Sequence, residues 1–136
     1  DAAGNWSAYA FSAPVKPSVT DDWAFSVGAP WARYTLADTY GGTYVAANQA
    51  GAWFQHTVTG RDIALIGPKF STAGRATLYC DGTPHGLIDA YSARTEVRQV
   101  IAWCHFSQSG QHTMKVVLEG TSGRPWFGID AFAALS

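Results

Sequence analysis

Short runs that alternate hydrophobic and polar residues recur along most of this 136-residue chain. In "GRATLYCDG", Ala76, Leu78 and Cys80 fall on one side of an extended backbone, and the residues between them fall on the other. The apolar residues of "QHTMKVVLEG" alternate in the same way. Because successive side chains of a strand point to opposite faces, each run predicts a strand with one face in a core.

About nine such runs follow one another at the short spacing that is typical of β-sandwiches and barrels. They are "ARYTL", "GGTYVAA", "AWFQHTV", "DIALIG", "RATLYCDG", "HGLIDAY", "VRQVIAW", "HTMKVVLEG" and "WFGIDAFAAL". Few straight-chain helix formers interrupt them. We therefore predict an all-β domain. Residues 1–30 contain one strand-like run, Trp6 to Phe11, and then a Pro-rich loop, and are expected to be an edge strand and lead-in of the same domain as the sandwich at 31–136.

Length and charge restrict the possible functions. The formal net charge is −1 and no segment is strongly basic, so nucleic acid is not an expected partner. No apolar run approaches the length of a membrane span, and no signal-peptide pattern opens the chain. We expect a single soluble domain, either a mature protein or a module excised from a longer one.

The two cysteines, Cys80 and Cys104, allow one intramolecular pair. Each lies near the end of a strand-like run, so adjacent strands could bring them within bridging distance. Two buried thiols are the alternative. A disulfide would indicate export to an oxidising compartment, and hence a secreted or extracellular protein.

Sequence motifs of catalysis are missing from the chain. It has no G-x-S-x-G, no H-E-x-x-H and no glycine-rich phosphate loop, and its four histidines fall in no metal-ligand spacing. His56 shares its strand parity with Phe54 and Val58, which predicts a hydrogen-bonded core residue. We therefore expect no enzyme, although dispersed carboxylates could still meet in space.

Aromatic residues are unusually frequent, with six Trp, six Tyr and seven Phe. In "TSGRPWFGID", Gly123 and Pro125 predict a loop, which places Trp126 near its tip. Trp53 and Trp103 lie inside predicted strands, either as packing residues or as part of a flat face.

Several landmarks in order resemble a known family. They are "YGGTY", "TG" followed by "IGPK", G-x-A-x-x-Y-x-D-G, "SGQHTMKV" and "IDAF", and they cover roughly residues 40–133. Together they resemble the galactose-binding-like β-sandwich domains of secreted bacterial proteins, which are similar to carbohydrate-binding modules of families six and thirty-five. The resemblance implies a jelly-roll sandwich that binds glycans without catalysis.

The resemblance also implies a binding site. A sugar offers a flat patch of C–H groups ringed by hydroxyls, so its site needs an aromatic plate and directional polar groups. Trp126 with Arg124 has this character, the second aromatic residue would be Tyr44 with Tyr40 in reserve, and Asn48 could bridge them. The alternative for Trp126 is a packing residue over a sheet edge.

Related modules often hold a structural calcium ion near the chain termini. Although we expect no cofactor, Asp130 with Asp21 or Asp22 and backbone carbonyls could bind such an ion. The leading expectation for function is a module that tethers a secreted bacterial enzyme, or a cell-surface protein, to polysaccharide. An extracellular protein-interaction, adhesion or sensor domain is the alternative, and an enzyme is the third.

Overall fold

The structure is a computed structural model that describes residues 17–136. It contains nine strands within that range, which are numbered here in chain order. They are β1 Ser18–Asp21, β2 Ala32–Thr35, β3 Thr43–Ala47, β4 Trp53–Lys69, β5 Arg75–Cys80, β6 Thr83–Asp89, β7 Glu96–Leu118, β8 Phe127–Ile129 and β9 Ala131–Leu135. Two short 3₁₀ turns, Asp22–Ala24 and Tyr40–Gly42, are the helical elements of these residues.

The strands form two sheets. One has six strands in the order β1-β9-β4-β7-β5-β6, and the other has three in the order β2-β3-β8. Neighbouring strands within both sheets are antiparallel. The predicted all-β antiparallel sandwich of jelly-roll type is therefore confirmed.

The alternation of side chains builds the core between the sheets as predicted. Ala76, Leu78 and Cys80 of β5 are all buried, and so are Met114, Val116 and Leu118 of β7. On the smaller sheet, Val45 of β3 is also fully buried. The central strands β3, β4, β5 and β7 thus contribute buried side chains to a shared hydrophobic core, which is the arrangement that stabilises a sandwich.

The two longest strands were not predicted as continuous. β4 joins "AWFQHTV" to "DIALIG" through Gly60, and β7 joins "VRQVIAW" to "HTMKVVLEG". A Cβ at Gly60 would lie 2.8 Å from the Cβ of Ala134, so glycine lets β9 approach β4 here. Opposite Arg61, residues 106–109 leave the β4–β7 ladder between the pairs Gly60–Gly110 and Asp62–His105. The break between the predicted strands is therefore a bulge in β7.

Both ends of the described chain differ in detail from the sequence prediction. The strand predicted from Trp6 to Phe11 lies outside the described residues, and the stretch predicted as a loop after it contains β1, an edge strand paired with β9. The predicted last strand is two strands in different sheets, because β8 pairs with β3 whereas β9 pairs with β1 and β4. Asp130 lies at the crossing between the sheets, where its N–H donates to the Ile66 carbonyl at 2.9 Å.

A disulfide joins Cys80 to Cys104, as predicted, with their Cα atoms 5.9 Å apart. It connects the end of β5 to the middle of β7, and both residues are buried. The loop-entropy model gives such a bond about 3–4 kcal/mol of stabilisation.

His56 is half-buried on β4, with its ring against those of Phe25 and Phe132. Burial lowers the pKa of this imidazole, which favours its neutral form. In the described part of the chain, no helix is long and apolar enough to cross a membrane.

Candidate functional site

An aromatic groove lies over the outer face of the three-stranded sheet. Its lining comes from two strands of that sheet, from the segments that follow β4 and precede β7, and from the residue before β8. The lining residues are Tyr34, Leu36, Tyr44, Phe70, Ser71, Thr72, Thr95 and Trp126, and the cavity measures about 390 Å³. We call this cavity the aromatic groove.

Strand alternation explains why aromatic rings collect on this face. Val45 and Ala47 of β3 point into the core, so Tyr44 points outward. On β8 the core residues are Phe127 and Ile129, which leaves Gly128 on the outer side. A Cβ at Gly128 would lie 2.9 Å from Cδ2 of Tyr44. The missing side chain therefore provides the space that the Tyr44 ring occupies.

Tyr34 of β2 is the register partner of Tyr44. Their ring centroids are 5.8 Å apart and the planes are inclined by 35°. Burial, and secondarily the neighbouring Tyr34, raise the pKa of Tyr44 above its ordinary value. Its phenol is therefore protonated at neutral pH and can both donate and accept a hydrogen bond.

Trp126 is fixed by its backbone to the loop after β4. Its N–H donates to the Thr72 carbonyl at 3.1 Å, and its carbonyl accepts from the N–H of Gly74 at 2.8 Å. Its indole meets the ring of Tyr34 edge-on, with centroids 5.8 Å apart. The structure thus places Trp126 and Tyr44, two aromatic residues singled out from the sequence, around the same cavity. Both side chains are partly buried.

Arg124 points away from the aromatic groove. Its Nη1 donates to Asp89 Oδ1 and to the Ala73 carbonyl, each at 3.0 Å, and its guanidinium lies 4.9 Å from the ring centroid of Tyr91. These contacts hold the loop before Trp126 against the β5–β6 hairpin. Arg124 therefore positions the Trp126 loop and does not line the cavity.

Tyr40 and Asn48 do not line the aromatic groove either. The guanidinium of Arg98 lies 4.5 Å from the ring centroid of Tyr40, and the Tyr40 N–H donates to Asp130 Oδ2 at 2.9 Å. Asn48 is exposed, one residue beyond Ala47, the last residue of β3. Tyr40 thus lies beside the buried carboxylate of Asp130.

The sequence did not single out any of the three Ser and Thr residues of the groove or two of its four aromatic residues. The missed residues are Tyr34, Leu36, Phe70, Ser71, Thr72 and Thr95. Tyr34 could have been found from the pairing of "ARYTL" with "GGTYVAA", because neighbouring strands in sequence often pair. The hydroxyl groups lie in loops whose position depends on contacts distant in sequence.

Two carboxylates are fully buried beside the crossing between the sheets. Asp22 Oδ2 accepts hydrogen bonds from Arg33 Nε at 2.8 Å and from Thr43 Oγ1 at 2.7 Å. Asp130 Oδ2 accepts from the N–H of Tyr40. Within the described part of the chain, Oδ1 of both residues has no hydrogen-bond partner. Burial, together with the negative charges of Asp22 and Asp21, raises the pKa of Asp130 to about 6.

These unpaired oxygens are suitable ligands for a hard cation such as calcium, which binds oxygen atoms only. Among residues 17–136, no three Asp, Glu, His or Cys side chains form a group that could hold a metal ion. Asp22 and Asp130 would therefore need backbone carbonyl oxygens to complete the shell. When bound, the ion would neutralise these buried charges and stabilise the crossing between the sheets.

The chain was compared with known proteins. No protein-family model and no curated protein matches it. Among solved structures, it is similar to the CBM36-1 domain of a multidomain xylanase from the hindgut metagenome of Trinervitermes trinervoides. The TM-score is 0.53 at 16% identity, and the match covers 89% of this chain and 97% of that one.

Larger chains contain the same fold. The Agl-KA catalytic domain matches with a TM-score of 0.61 at 14% identity, over 88% of this chain and 27% of that one. The exo-beta-1,3-galactanase of Phanerochaete chrysosporium matches with a TM-score of 0.61 at 14% identity, over 87% and 29%. This chain thus spans less than a third of either protein. At these identities the similarity establishes a β-sandwich fold that occurs in carbohydrate-active proteins, and the fold alone.

Proposed function

We propose that this chain is a non-catalytic carbohydrate-binding module that binds a neutral glycan in the aromatic groove. The observation that carries the proposal is the composition of that groove. Four aromatic rings, of Tyr34, Tyr44, Phe70 and Trp126, line it together with the hydroxyls of Ser71, Thr72 and Thr95. Of the described residues that line it, none is charged.

This lining suits the two kinds of surface that a sugar presents. Aromatic rings pack against the C–H face of a pyranose, and hydroxyl groups exchange hydrogen bonds with its edge. A charged ligand would leave its charge without a partner inside the cavity, which costs free energy. The groove therefore favours a neutral sugar over an acidic one.

One further observation supports a binding role without catalysis. The match to the CBM36-1 domain covers nearly all of both chains. The disulfide is consistent with a secreted or extracellular protein. The same proposal includes a likeness to the modules of families six and thirty-five, a bacterial source, and attachment to a catalytic domain in a longer chain.

Binding can be tested with sugars that are related to the structural neighbours. Titration calorimetry with nigerose, β-1,3-galactotriose and soluble xylan would measure affinity, with polygalacturonate as the acidic comparison. We expect saturable binding of at least one neutral glycan, which Trp126→Ala should weaken and Trp103→Ala should not. Binding of polygalacturonate alone, or equal affinities for both variants and the wild type, would contradict the proposal.

An extracellular protein-interaction domain is the second candidate, and one surface favours it. Trp103 and Val100 on the outer face of the six-stranded sheet are 63% and 60% exposed. They border an apolar cavity of about 380 Å³ together with Ala64, Ala133 and Leu135. Exposed apolar patches mark interaction sites in many proteins. A protein partner captured by the wild type, lost in Trp103→Ala and indifferent to added glycan would support this candidate.

A further inference from the structure

A second cavity lies beside the start of β4 and shares no lining residue with the aromatic groove. It measures about 500 Å³. Its lining comes from two segments, Ser26 to Trp31 and Gln49 to Gln55, and the second segment includes the exposed Trp53. We call this cavity the Trp53 pocket.

From this geometry we infer that the Trp53 pocket is a second binding site for a neutral sugar residue. The ligand class follows from the proposed function, but the site is independent of the aromatic groove. Of the described lining residues none carries a charge, whereas Ser26, Gln49 and Gln55 supply a hydroxyl and two amides. Amides both donate and accept hydrogen bonds, which matches the alternating donors and acceptors of sugar hydroxyls.

Trp53 provides the aromatic surface of this pocket. Its side chain is 54% exposed, although an indole that served only in packing would be largely covered. The Lys115 ammonium lies 4.9 Å from its ring centroid. This cation–π contact orients the indole. A ligand in the pocket would contact the surface of the indole that Lys115 leaves open.

The wall formed by residues 26–31 is held in place by the core behind it. Trp31 is buried, and its Nε1–H donates to the Trp53 carbonyl at 2.8 Å. The Trp31 ring packs edge-on against the ring of Phe54, with centroids 5.5 Å apart. Phe25 also packs against the Phe54 ring, with centroids 5.1 Å apart. These contacts fix the wall to the strand that carries Trp53.

The wall formed by the second segment is tied to the end of β7. The Gly51 N–H donates to the Leu118 carbonyl at 2.9 Å, and the Leu118 N–H donates to the Ala52 carbonyl at 2.8 Å. Gly120 admits Ala50, because a Cβ at this position would lie 2.5 Å from that of Ala50. With both walls fixed before a ligand arrives, binding does not have to order them, and the entropic cost of association is lower.

The chain limits how far apart the nearest lining residues of the two sites can be. Tyr44 in the aromatic groove and Gln49 in the Trp53 pocket are five residues apart, which an extended chain spans with no more than about 18 Å. Linked sugar residues would bind the second site with a high effective concentration once the first is occupied. A long glycan is therefore expected to bind more tightly than a short one.

The test uses the indole N–H signals of the intact chain in nuclear magnetic resonance spectra. Trp53, Trp103 and Trp126 signals are assigned from their single Phe variants, and the protein is titrated with nigerose, β-1,3-galactotriose and xylotriose. We expect saturable shifts of Trp53 in the wild type and in Trp126→Ala, with Trp103 unchanged. Trp53→Ala, whose cost in stability is small because the ring is more than half exposed, should weaken binding of a trisaccharide that shifts the Trp53 signal at least tenfold.

Each outcome separates this inference from the proposed function. Shifts of Trp126 without shifts of Trp53 would overturn the second site and leave the first. Shifts of Trp53 alone would support the second site and overturn the first. Shifts of neither indole with any of the three sugars would overturn both. Equal shifts of Trp53 and the control Trp103 would show non-specific contact with exposed indoles, which would also overturn the second site.

Discussion

The indole of Trp126 meets the phenol ring of Tyr34 edge-on, with ring centroids 5.8 Å apart and planes inclined by 86°. This contact joins the loop before β8 to the edge strand β2, which are far apart in sequence. An edge-to-face pair leaves ring faces free, so the same contact that fixes the indole also leaves it surface for a ligand. Trp126 therefore has a packing role and, in our proposal, a binding role.

The first prediction separates these two roles. Trp126→Ala should weaken glycan binding by about tenfold to a hundredfold or more, if stacking on one ring is worth roughly 1–3 kcal/mol as it is for bases on aromatic residues. The free energy of unfolding should fall by only about 1–2 kcal/mol, less than for a fully buried Trp, because the side chain is half-buried. Calorimetric titration and thermal melting of the same sample measure both. Unchanged affinity with a large loss of stability would leave Trp126 as a packing residue.

The second prediction concerns the hydroxyl of Tyr44. Tyr44→Phe keeps the ring against Gly128 but removes the hydrogen-bonding group, so we expect a loss of about 1 kcal/mol in binding, or roughly fivefold, with an almost unchanged melting temperature. Tyr44→Ala should lose more, since the ring goes as well. Tyr40→Phe is the matched control, because Tyr40 does not line the cavity. Equal effects of the two Phe variants would argue against a direct contact between Tyr44 and the sugar.

The third prediction is that the disulfide stabilises the fold without contributing to binding. Neither Cys80 nor Cys104 lines the aromatic groove or the Trp53 pocket. Replacing both by Ser should lower the free energy of unfolding by about 3–4 kcal/mol. Glycan affinity of the folded protein should not change. A variant that melted normally but failed to bind would show that the bridge holds the site and not the fold.

The sequence predicts the strands that depend on local alternation. β5 is recognisable because Ala76, Leu78 and Cys80 repeat with period two. The continuity of β4 is not predictable in this way, since Gly60 looks like a break in the sequence but is the residue that lets Ala134 of β9 approach β4. The crossing at Asp130 is hidden for a similar reason, because "WFGIDAFAAL" has the pattern of a single strand.

The candidate site was predictable only in part. Trp126 and Tyr44 follow from the resemblance of the sequence to a known family, but Tyr34 depends on the register between β2 and β3. Arg124 is a residue type that can bind sugar hydroxyl groups, but in the structure it forms an ion pair with Asp89, which is distant in sequence. A single sequence does not predict this ion pair, because the position of Asp89 depends on how β5 and β6 pair.

The fourth prediction is that Asp130 makes stability depend on pH. Its pKa in the fold is about 6, against roughly 3.9 when unfolded, so between these values the folded state binds more protons. The stabilising contribution of the protonated form is complete below about pH 4 and is lost as pH rises through 6. Its size is about 3 kcal/mol, at 1.4 kcal/mol per pKa unit. The difference in free energy of unfolding between the wild type and Asp130→Asn, measured at each pH, isolates this contribution. Parallel pH profiles of the two proteins would contradict the prediction.

The last prediction concerns calcium and starts from the same carboxylate. At pH 7 Asp130 is ionised and buried near Asp22, with an oxygen on each that has no hydrogen-bond partner among the described residues. A cation bound between them would remove the repulsion and favour the ionised form. Calcium should therefore raise the melting temperature at pH 7, more than at pH 5, and the stabilisation should grow with the logarithm of the calcium excess over its dissociation constant. Asp130→Asn should lose this response, whereas Asp81→Asn, which changes an exposed carboxylate, should keep it. Melting with calcium or with EDTA decides: identical curves at pH 7 would mean that Asp130 is a buried acid and not a ligand.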